Sequence, residues 1–517
     1  MYFAYIPEQV IEQTQKLTDK MKTNRRDFLK TAAIAGAGAI SAGSITSCKT
    51  TAAEESKLHH IKEIVNTQHS QEFNMCGYSA PATDLVRVGF IGLGSRGSGA
   101  VTRMMNIDGT EIRALCDKRP AAVESSRDDV LRYGFPEPEL YSGDENIWKE
   151  LCQRGDIDLV YICTPWELHT PMALYAMENG KHVACEVPIA RTLDEAWQLV
   201  QTSERTRKHC MQLENCCYDF FELLTLNMAR QGMFGDIVHG EGAYIHTLTD
   251  MNFDKFDNEN PTGSGYIDMW RLKENYGRNG NLYPTHGLGP VCQVMNINRG
   301  DRMEYLTSMS TNDFTMHKRV LELAAEDDFF LPYTEDKYRG NMNTTLVRTN
   351  KGRTIMIQHD VSSPRPYSRI HLISGTGGIA RKWPEPARIA LGHSWLNEEE
   401  FNEISEKYTP EIIRRVGDMA RQVGGHGGMD FIMDWRLIDC LRNGLSLDED
   451  VYDAALWSAI TPLSEWSVAN RSNSIEVPDF TCGSWKNNKP HNINLEEGGS
   501  TGVRKLEKAD ASLQLNV

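Results

Sequence analysis

Residues 86–97 read VRVGFIGLGSRG, a short apolar run followed by three glycines in the spacing Gly-x-Gly-x-x-Gly. The apolar run predicts a buried strand, and residues 98–106 have the pattern of a helix. Glycines between a strand and a helix permit a tight turn and let the backbone approach a phosphate, whose charge the amides at the helix N-terminus receive. The loop therefore predicts a phosphate-binding site of the dinucleotide type.

An acidic residue follows at the spacing that such a site requires. Residues 111–116 predict a second strand, which ends at Asp117, 20 residues after Gly97. A carboxylate here accepts hydrogen bonds from a ribose and repels a 2′-phosphate, so we expect NAD rather than NADP, although Arg96 weakens that preference. The residues of this motif that we predict to bind NAD are Gly92, Gly94, Ser95, Arg96, Gly97 and Asp117.

Strand and helix patterns then alternate along the chain. The further runs lie at residues 158–163, 170–179, 182–186, 193–206 and 211–213. Alternation of this kind is typical of a doubly wound parallel sheet in the α/β class. We therefore predict an NAD-binding Rossmann domain over residues 85–215.

Longer strand-like runs follow from about residue 235. They lie at residues 237–247, 304–311, 343–349, 354–359 and 370–374. We predict that residues 216–487 form a substrate-binding α+β domain with a large, mostly antiparallel, open-faced sheet. Two late helical stretches, at 429–442 and 451–470, are expected to pack on one side of that sheet.

The remaining segments are polar. Residues 49–84 are interpreted as a tether, and residues 488–517 as a loose polar tail. The formal net charge of −16 over 517 residues makes nucleic acid an unlikely partner, because its phosphates would be repelled. The 12 cysteines are scattered and several lie in apolar runs, so we interpret most of them as core residues. Their spacing predicts no metal site.

The first 48 residues have the pattern of an export signal. Residues 24–30 read NRRDFLK, which is similar to a twin-arginine signal, and residues 31–47 form a short apolar stretch that is too small for a membrane span. Residues 45–48 resemble a lipoprotein cleavage site with Cys48 as the lipid-bearing residue; plain cleavage nearby is the alternative. Met21 offers a second possible start. We therefore expect an exported protein, periplasmic or anchored to a membrane by lipid.

Two later motifs connect the first domain to a known family. Residues 163–169, CTPWELH, and 186–188, EVP, resemble strand ends of the Gfo/Idh/MocA oxidoreductases, which have a Rossmann half followed by an open-faced sheet. In typical members the second motif is Glu-Lys-Pro, and its lysine assists catalysis. Val187 replaces that lysine here, which puts the usual proton relay in doubt. The additional NAD-binding residues that the resemblance implies are Trp166, Glu167, Leu168, His169, Glu186, Val187 and Asn215.

Four longer motifs narrow the resemblance. They are residues 213–218, LENCCY; 239–244, HGEGAY; 281–290, NLYPTHGLGP; and 425–430, GHGGMD. Together they resemble glycoside hydrolase family 109, whose founding activity is α-N-acetylgalactosaminidase, over residues 86–485. The resemblance implies hydrolysis through NAD-dependent transient oxidation of the sugar at carbon 3, elimination, water addition and re-reduction, a route that differs from the two-carboxylate mechanism of most glycosidases.

The resemblance also assigns roles to residues of the second domain. His286 lies in a turn-rich loop and is the first catalytic candidate, because an imidazole can exchange protons near neutral pH. Tyr283 and Tyr218 are the other catalytic candidates. His426, in a glycine-rich turn before a helix, is interpreted as a structural histidine or as one that supports the residues in contact with ligand. The predicted substrate-binding residues are Tyr244, Arg271, Tyr283, Pro284, Thr285, His286 and Tyr367.

Two other functions are compatible with the same residues. One is a net NAD-dependent sugar dehydrogenase, and the other is a non-catalytic protein that holds NAD and binds a sugar. The sugar, the aglycone, the α or β linkage and the oligomeric state stay open at this point.

Overall fold

The computed structural model describes residues 52–256, 263, 265–491, 493 and 495–506. The predicted export signal, including Cys48, lies outside the described residues. From Lys57 onward the chain forms one compact unit. None of the described helices is both long and apolar enough to cross a membrane.

The first domain is a six-stranded parallel sheet in the order β3-β2-β1-β4-β5-β6, which confirms the predicted doubly wound fold. Its central strands are buried on both faces because helices cover both sides of the sheet. The strands are β1 Val86–Ile91, β2 Thr110–Cys116, β3 Glu139–Tyr141, β4 Leu159–Ile162, β5 His182–Cys185 and β6 Cys210–Gln212. The helices up to this point are α1 Ala52–Asn66, α2 Ser95–Met105, α3 Pro120–Arg132, α4 Trp148–Gln153, α5 Trp166–Glu178 and α6 Leu193–Thr206.

The second domain contains an eight-stranded sheet in the order β13-β12-β11-β7-β10-β9-β8-β14. All neighbouring strands are antiparallel except β7 and β10, so the sheet is mixed and mostly antiparallel, as predicted. The strands are β7 Ile237–Ile245, β8 Met303–Ser310, β9 Asn343–Thr349, β10 Thr354–Asp360, β11 Leu372–Gly375, β12 Ile379–Arg381, β13 Arg388–Ala390 and β14 Ile475–Glu476. The helices are α7 Phe220–Arg230, α8 Thr249–Phe253, α9 Trp270–Asn275, α10 Thr285–Met295, α11 Met316–Ala324, α12 Glu398–Tyr408, α13 Glu411–Val423, α14 Met429–Asn443 and α15 Val451–Ala469.

The two faces of this sheet differ. Helix α10 packs on β7 and helix α15 packs on β8, which buries one face. Large apolar side chains stay exposed on the sheet strands, among them Tyr305, Met309 and Leu346. The open-faced sheet that the sequence predicted is therefore present.

The late helices are placed differently from the prediction. Helix α14 packs on α2 and β1 of the parallel sheet, where Asp434 accepts a hydrogen bond from Arg103 Nε at 2.7 Å and another from the Tyr161 hydroxyl at 2.8 Å. Helix α15 contacts β8 but also covers α6 and β6 of the first domain. Both helices are buried nearly all round, so their sequences have no polar side that could indicate which sheet they cover.

The predicted tether and tail are also attached to the folded unit. The Tyr452 hydroxyl accepts hydrogen bonds from Gln71 Nε2 at 2.7 Å and from the backbone N–H of Met75 at 3.1 Å. In the tail, the carbonyl of Thr501 accepts a hydrogen bond from the Trp435 indole at 3.1 Å. Apolar side chains of both segments also pack in the main hydrophobic core, among them Met75 and Ile493, which a mostly polar composition does not reveal.

Candidate active site

The glycine loop has the geometry that a dinucleotide requires. A Cβ on Gly97 would lie 1.8 Å from the carbonyl oxygen of Gly92, and Gly92 itself has a φ of 88°. A Cβ on Gly94 would meet open space, so the backbone there is accessible to a ligand. Helix α2 begins at Ser95 without a side-chain cap, which leaves its first amides free to bind a pyrophosphate. These residues fit NAD.

Asp117 lies at the end of β2 beneath this loop. Its Oδ2 accepts a hydrogen bond from the backbone N–H of Leu93 at 2.7 Å, and its Oδ1 accepts from the backbone N–H of Arg119 at 2.9 Å. The carboxylate therefore stabilises the loop conformation as well as standing where a ribose would bind. The Arg119 guanidinium lies 3.3 Å from Oδ1 of Asp117 and forms an ion pair with it.

Arg96 has protein partners in the structure. Its guanidinium lies 2.6 Å from Glu186 and 2.9 Å from Asp430, and these two acids raise its pKa although burial alone would lower it. The side-chain amide of Asn215 donates a hydrogen bond to the same Asp430. Three residues predicted to bind NAD thus form a charged network at the carboxyl edge of the parallel sheet, linked to the first turn of α14.

The predicted NAD-binding residues that follow β4, from Trp166 to His169, differ in their burial and in their contacts. Trp166 is buried and stacks on Tyr283 with 5.6 Å between ring centroids, whereas Glu167 and Leu168 are exposed. His169 is buried, with Nδ1 2.8 Å from the carbonyl of Pro188 and Nε2 2.7 Å from the carbonyl of Thr164. His169 lies between two loops of the first domain, and its contact with NAD stays a prediction.

Aromatic rings surround Arg271, which is 7% exposed. The guanidinium lies 4.8 Å from the ring centroid of Tyr283, 5.2 Å from that of Trp166 and 5.8 Å from that of Tyr244. Its Nη1 donates to the Tyr266 hydroxyl at 2.9 Å. Within the described residues no acidic side chain forms an ion pair with Arg271, so this buried cation is held by ring faces.

The aromatic cluster also includes Tyr367, a further predicted substrate residue, and the apolar side chain of Val187. Tyr367 lies edge-on to Tyr244 at 6.4 Å, and Val187 packs into the same group of side chains. Burial raises the pKa of Tyr244 to about 12 although Arg271 opposes that rise, and burial also raises the pKa of Tyr283 well above its ordinary value. Both phenols are therefore protonated at neutral pH and act as hydrogen-bond donors.

His286 is paired with an acid that the sequence analysis assigned no role. Its Nδ1 lies 2.7 Å from Oε1 of Glu214, which follows β6 and has a side chain without exposed surface. Burial alone would raise the pKa of Glu214, but the neighbouring His286 lowers it overall, so the carboxylate stays charged. The His286 ring stands edge-on to Tyr283 at 4.9 Å and to Tyr244 at 5.3 Å.

Pro284 and Thr285 are buried at the start of α10. Together they fix the position of His286 in the first turn of that helix. Their location supports a positioning role, whereas the side chains of Tyr283 and His286 face the cluster. The only signal for Glu214 in the sequence was its position after a strand, at the edge where cofactors bind.

A second histidine and acid pair lies nearby. His426 Nδ1 is 2.9 Å from Asp430 and 3.1 Å from Arg96 Nη1, and its side chain is 56% exposed. The flanking glycines at 424, 425, 427 and 428 all have positive φ, as does His426 itself at 46°. This turn presents a partly exposed imidazole beside the network of Arg96, where His426 contacts both Asp430 and Arg96.

The structure does not bring Tyr218 to the cluster. Tyr218 is 1% exposed and belongs to the main hydrophobic core, where its hydroxyl lies 3.5 Å from Asp448. It follows Glu214 and Asn215 in a 3₁₀ helix, and that local turn points the ring into the core. Its position supports a packing role and not the predicted catalytic one.

One group of side chains in the site consists of residue types that bind metal ions. Glu214, Cys216 and His286 form a group whose ligand atoms all lie within 4.8 Å of one another. Burial raises the pKa of the Cys216 thiol well above its ordinary value. The Glu214 carboxylate of this group is the one that lies 2.7 Å from His286 Nδ1.

Two family models match this chain, and the boundary between them falls just after the last strand of the parallel sheet. Residues 86–213 match the family described as an oxidoreductase family with an NAD-binding Rossmann fold. Residues 218–487 match the family described as the glycosyl hydrolase 109 C-terminal domain. The first domain is thus an NAD-binding domain.

Solved structures share this architecture at low sequence identity. Levoglucosan dehydrogenase in complex with NADH and levoglucosan has a TM-score of 0.55 and 17% identity, covering 76% of this chain and 100% of the solved one. An aldose-aldose oxidoreductase from Caulobacter crescentus has a TM-score of 0.54 and 15% identity, covering 76% of this chain and 100% of the solved one. These similarities establish the fold.

Curated relatives are much closer in sequence. A protein from Bacteroides fragilis named glycosyl hydrolase family 109 protein 1 is 46% identical over 453 residues, which cover 84% of this chain and 94% of the relative. An α-N-acetylgalactosaminidase from the same species is 49% identical over 417 residues, which cover 80% of this chain and 96% of the relative. The chain therefore belongs to glycosyl hydrolase family 109.

Proposed function

We propose that this glycosidase removes terminal N-acetylgalactosamine, or a closely related sugar, from glycosides while NAD stays tightly bound. The observation that carries the proposal is the pairing of His286 with the Glu214 carboxylate beside the cluster of Arg271 and aromatic rings, at the carboxyl edge of the NAD-binding sheet. The α-N-acetylgalactosaminidase from Bacteroides fragilis, 49% identical to this chain, supports the choice of sugar.

The glycine loop, the first amides of α2 and Asp117 would hold the cofactor. When bound, NAD would supply a hydride acceptor for carbon 3 of the sugar, whose hydroxyl proton would pass to solvent. The ketone left on the sugar would make the hydrogen on carbon 2 acidic, and the hydride and a solvent proton would return at the end. Val187 is apolar, so no ammonium group at that position shares in proton transfer.

His286 is the group that we propose to take the proton from carbon 2. Because its Nδ1 is engaged by Glu214, its Nε2 is the atom that remains for proton exchange with the substrate. The negative charge of Glu214 stabilises the imidazolium that forms when the proton arrives. The same nitrogen exchanges its proton with solvent and then protonates carbon 2 as water adds at carbon 1. The proton that this water loses replaces the one given to the aglycone.

His426 is the second proton-transfer group in this proposal. Its exposed imidazole is oriented by Asp430, and it would donate the proton that the departing aglycone oxygen needs when the glycosidic bond breaks. The phenols of Tyr244 and Tyr283 would bind sugar hydroxyl groups, since burial keeps both of them protonated. Arg271 would bind an oxygen of the sugar with its remaining donors.

A hydrolysis assay distinguishes this function from the two others that the residues allow. Chromogenic α- and β-N-acetylgalactosaminides are supplied to the purified protein, and aglycone release is compared with the absorbance of NADH. The glycosidase releases aglycone without accumulating NADH. A dehydrogenase would accumulate NADH in proportion to the substrate, and a binding protein would give neither signal with any sugar.

We also propose that the protein is exported through the twin-arginine route. The motif NRRDFLK at residues 24–30 supports this route. A tightly bound NAD also supports it, because the protein would have to fold around the cofactor before export and the twin-arginine route carries folded proteins. Replacing Arg25 and Arg26 with Lys should retain the protein in the cytoplasm. Membrane fractionation of a Cys48→Ala variant tests the lipid anchor.

A further inference from the structure

His246 is a third histidine beside the aromatic cluster. It directly follows β7, and its backbone N–H donates to the carbonyl of Asp360 at 2.9 Å. The residue before it, Ile245, forms a bridge with Ser368. The backbone at His246 is therefore fixed from two sides, so its side chain projects from a rigid strand end.

The imidazole of His246 rests on two of the predicted substrate residues. Its ring centroid lies 5.2 Å from that of Tyr367, edge-on, and 5.9 Å from that of Tyr244. Tyr367 is itself fixed, because its hydroxyl accepts a hydrogen bond from Arg369 at 3.2 Å. Arg369 in turn is buried between two acids, each 2.6 Å away.

The two ring nitrogens of His246 make little hydrogen bonding within the described part of the protein. Its Nδ1 is 3.4 Å from the carbonyl of Thr247, which is the limit of a hydrogen bond, and Nε2 has no hydrogen-bond partner among the residues that the structure describes. The side chain is half-buried, so part of the imidazole is exposed. The ring contacts with Tyr244 and Tyr367 place that exposed part beside the predicted substrate residues.

We propose that His246 is a substrate-binding residue whose imidazole exchanges a hydrogen bond with a hydroxyl or acetamido group of the sugar, on the side of the site that Tyr367 lines. The inference rests on the proposed function, since it names a further contact with the same substrate. A neutral imidazole carries one donor and one acceptor and can match either group. Burial lowers the pKa of His246, as does Arg271, and both therefore favour the neutral ring.

The test measures sugar binding directly. The full-length protein with NAD bound is titrated with N-acetylgalactosamine, and the change in tryptophan fluorescence is followed, because Trp166 and Trp270 lie in the cluster. We expect His246→Ala to raise the Kd and the KM by roughly 10-fold, the loss of about one hydrogen bond, with a smaller effect on kcat. His246→Asn should restore part of the affinity because its amide can replace the hydrogen bond.

The control is His239→Ala on the same strand, since that ring contacts Thr354 and Glu241 at the other end of β7. It should leave Kd, NAD content and melting temperature unchanged. An unchanged Kd in His246→Ala would overturn the inference, and so would a loss of bound NAD or of melting temperature that accounts for the weaker binding. A wild-type protein that neither binds the sugar nor cleaves its glycosides would overturn the proposed function as well.

Discussion

His286 places its Nδ1 atom 2.7 Å from Oε1 of Glu214, a carboxylate whose side chain has no exposed surface. The two residues are far apart in the sequence and meet because Glu214 follows β6 while His286 lies in the first turn of α10. The contact leaves one nitrogen of the imidazole for chemistry and supplies the negative charge that a protonated imidazole needs.

The first prediction concerns this pair. Glu214→Gln should lower kcat by roughly 10²-fold, because the imidazolium loses its charged partner, and NAD should remain bound at full occupancy. Steady-state kinetics with a chromogenic glycoside and an assay of released NAD measure the two quantities. Glu241→Gln, which removes a partly exposed acid beside His239, is the matched control and should behave as wild type. Full activity in Glu214→Gln would show that the pair is not needed.

Arg271 provides the second prediction. Arg271→Lys should raise KM by roughly 10-fold, because an ammonium group cannot spread its charge over several ring faces as a planar guanidinium does. The content of bound NAD should not change, since Arg271 does not contact the glycine loop. A variant with normal KM would mean that the cation only stabilises the aromatic rings, which a lowered melting temperature would then reveal.

The glycine loop gives a third prediction through two adjacent substitutions. Gly97→Ala should prevent folding or abolish NAD binding, because its Cβ would lie 1.8 Å from the carbonyl oxygen of Gly92. Gly94→Ala should fold normally, since its Cβ meets open space in the protein, yet it should weaken NAD binding because that space is where the pyrophosphate approaches. Circular dichroism and NAD content separate the two effects. Equal NAD content in both variants would contradict this description of the loop.

The fourth prediction concerns acid stability. Burial alone would raise the pKa of Asp430, but His426 and Arg96 lower it well below its ordinary value of 3.8. A carboxylate with a lowered pKa contributes stability above its ordinary value and loses that contribution as the pH falls through the lower one. Asp430→Asn should therefore melt at a lower temperature than wild type at neutral pH, and the difference should shrink in acid below 3.8. A difference that does not depend on pH would contradict the ion-pair assignment.

The sequence was sufficient for features that local backbone geometry determines. The glycine loop needs its three glycines in place, and Asp117 must end the next strand, so both follow from spacing. The pairing of His286 with Glu214 depends on two elements meeting in space, and no spacing rule predicts it. The same holds for α14, which is buried all round and binds the first domain through Asp434.

Tyr218 and His426 show a second limit of prediction from sequence, which is the direction in which a side chain points. Tyr218 lies close in sequence to Glu214 and Asn215, and a motif cannot tell which of neighbouring side chains turns into the core. His426 was interpreted as structural because single histidines in turns usually are, whereas its exposure and its contact with Asp430 depend on a left-handed backbone that only the structure shows.

The central claim is that a proton leaves and returns at carbon 2 of the sugar during hydrolysis. The most direct measurement is hydrolysis of an α-N-acetylgalactosaminide in deuterated water, with the released sugar examined by nuclear magnetic resonance. The account predicts that the released sugar carries deuterium at carbon 2, and that His286→Ala loses roughly 10²–10⁴-fold in turnover while keeping its NAD. Released sugar that retains its original hydrogen at carbon 2, from an enzyme that hydrolyses at full rate, would contradict it.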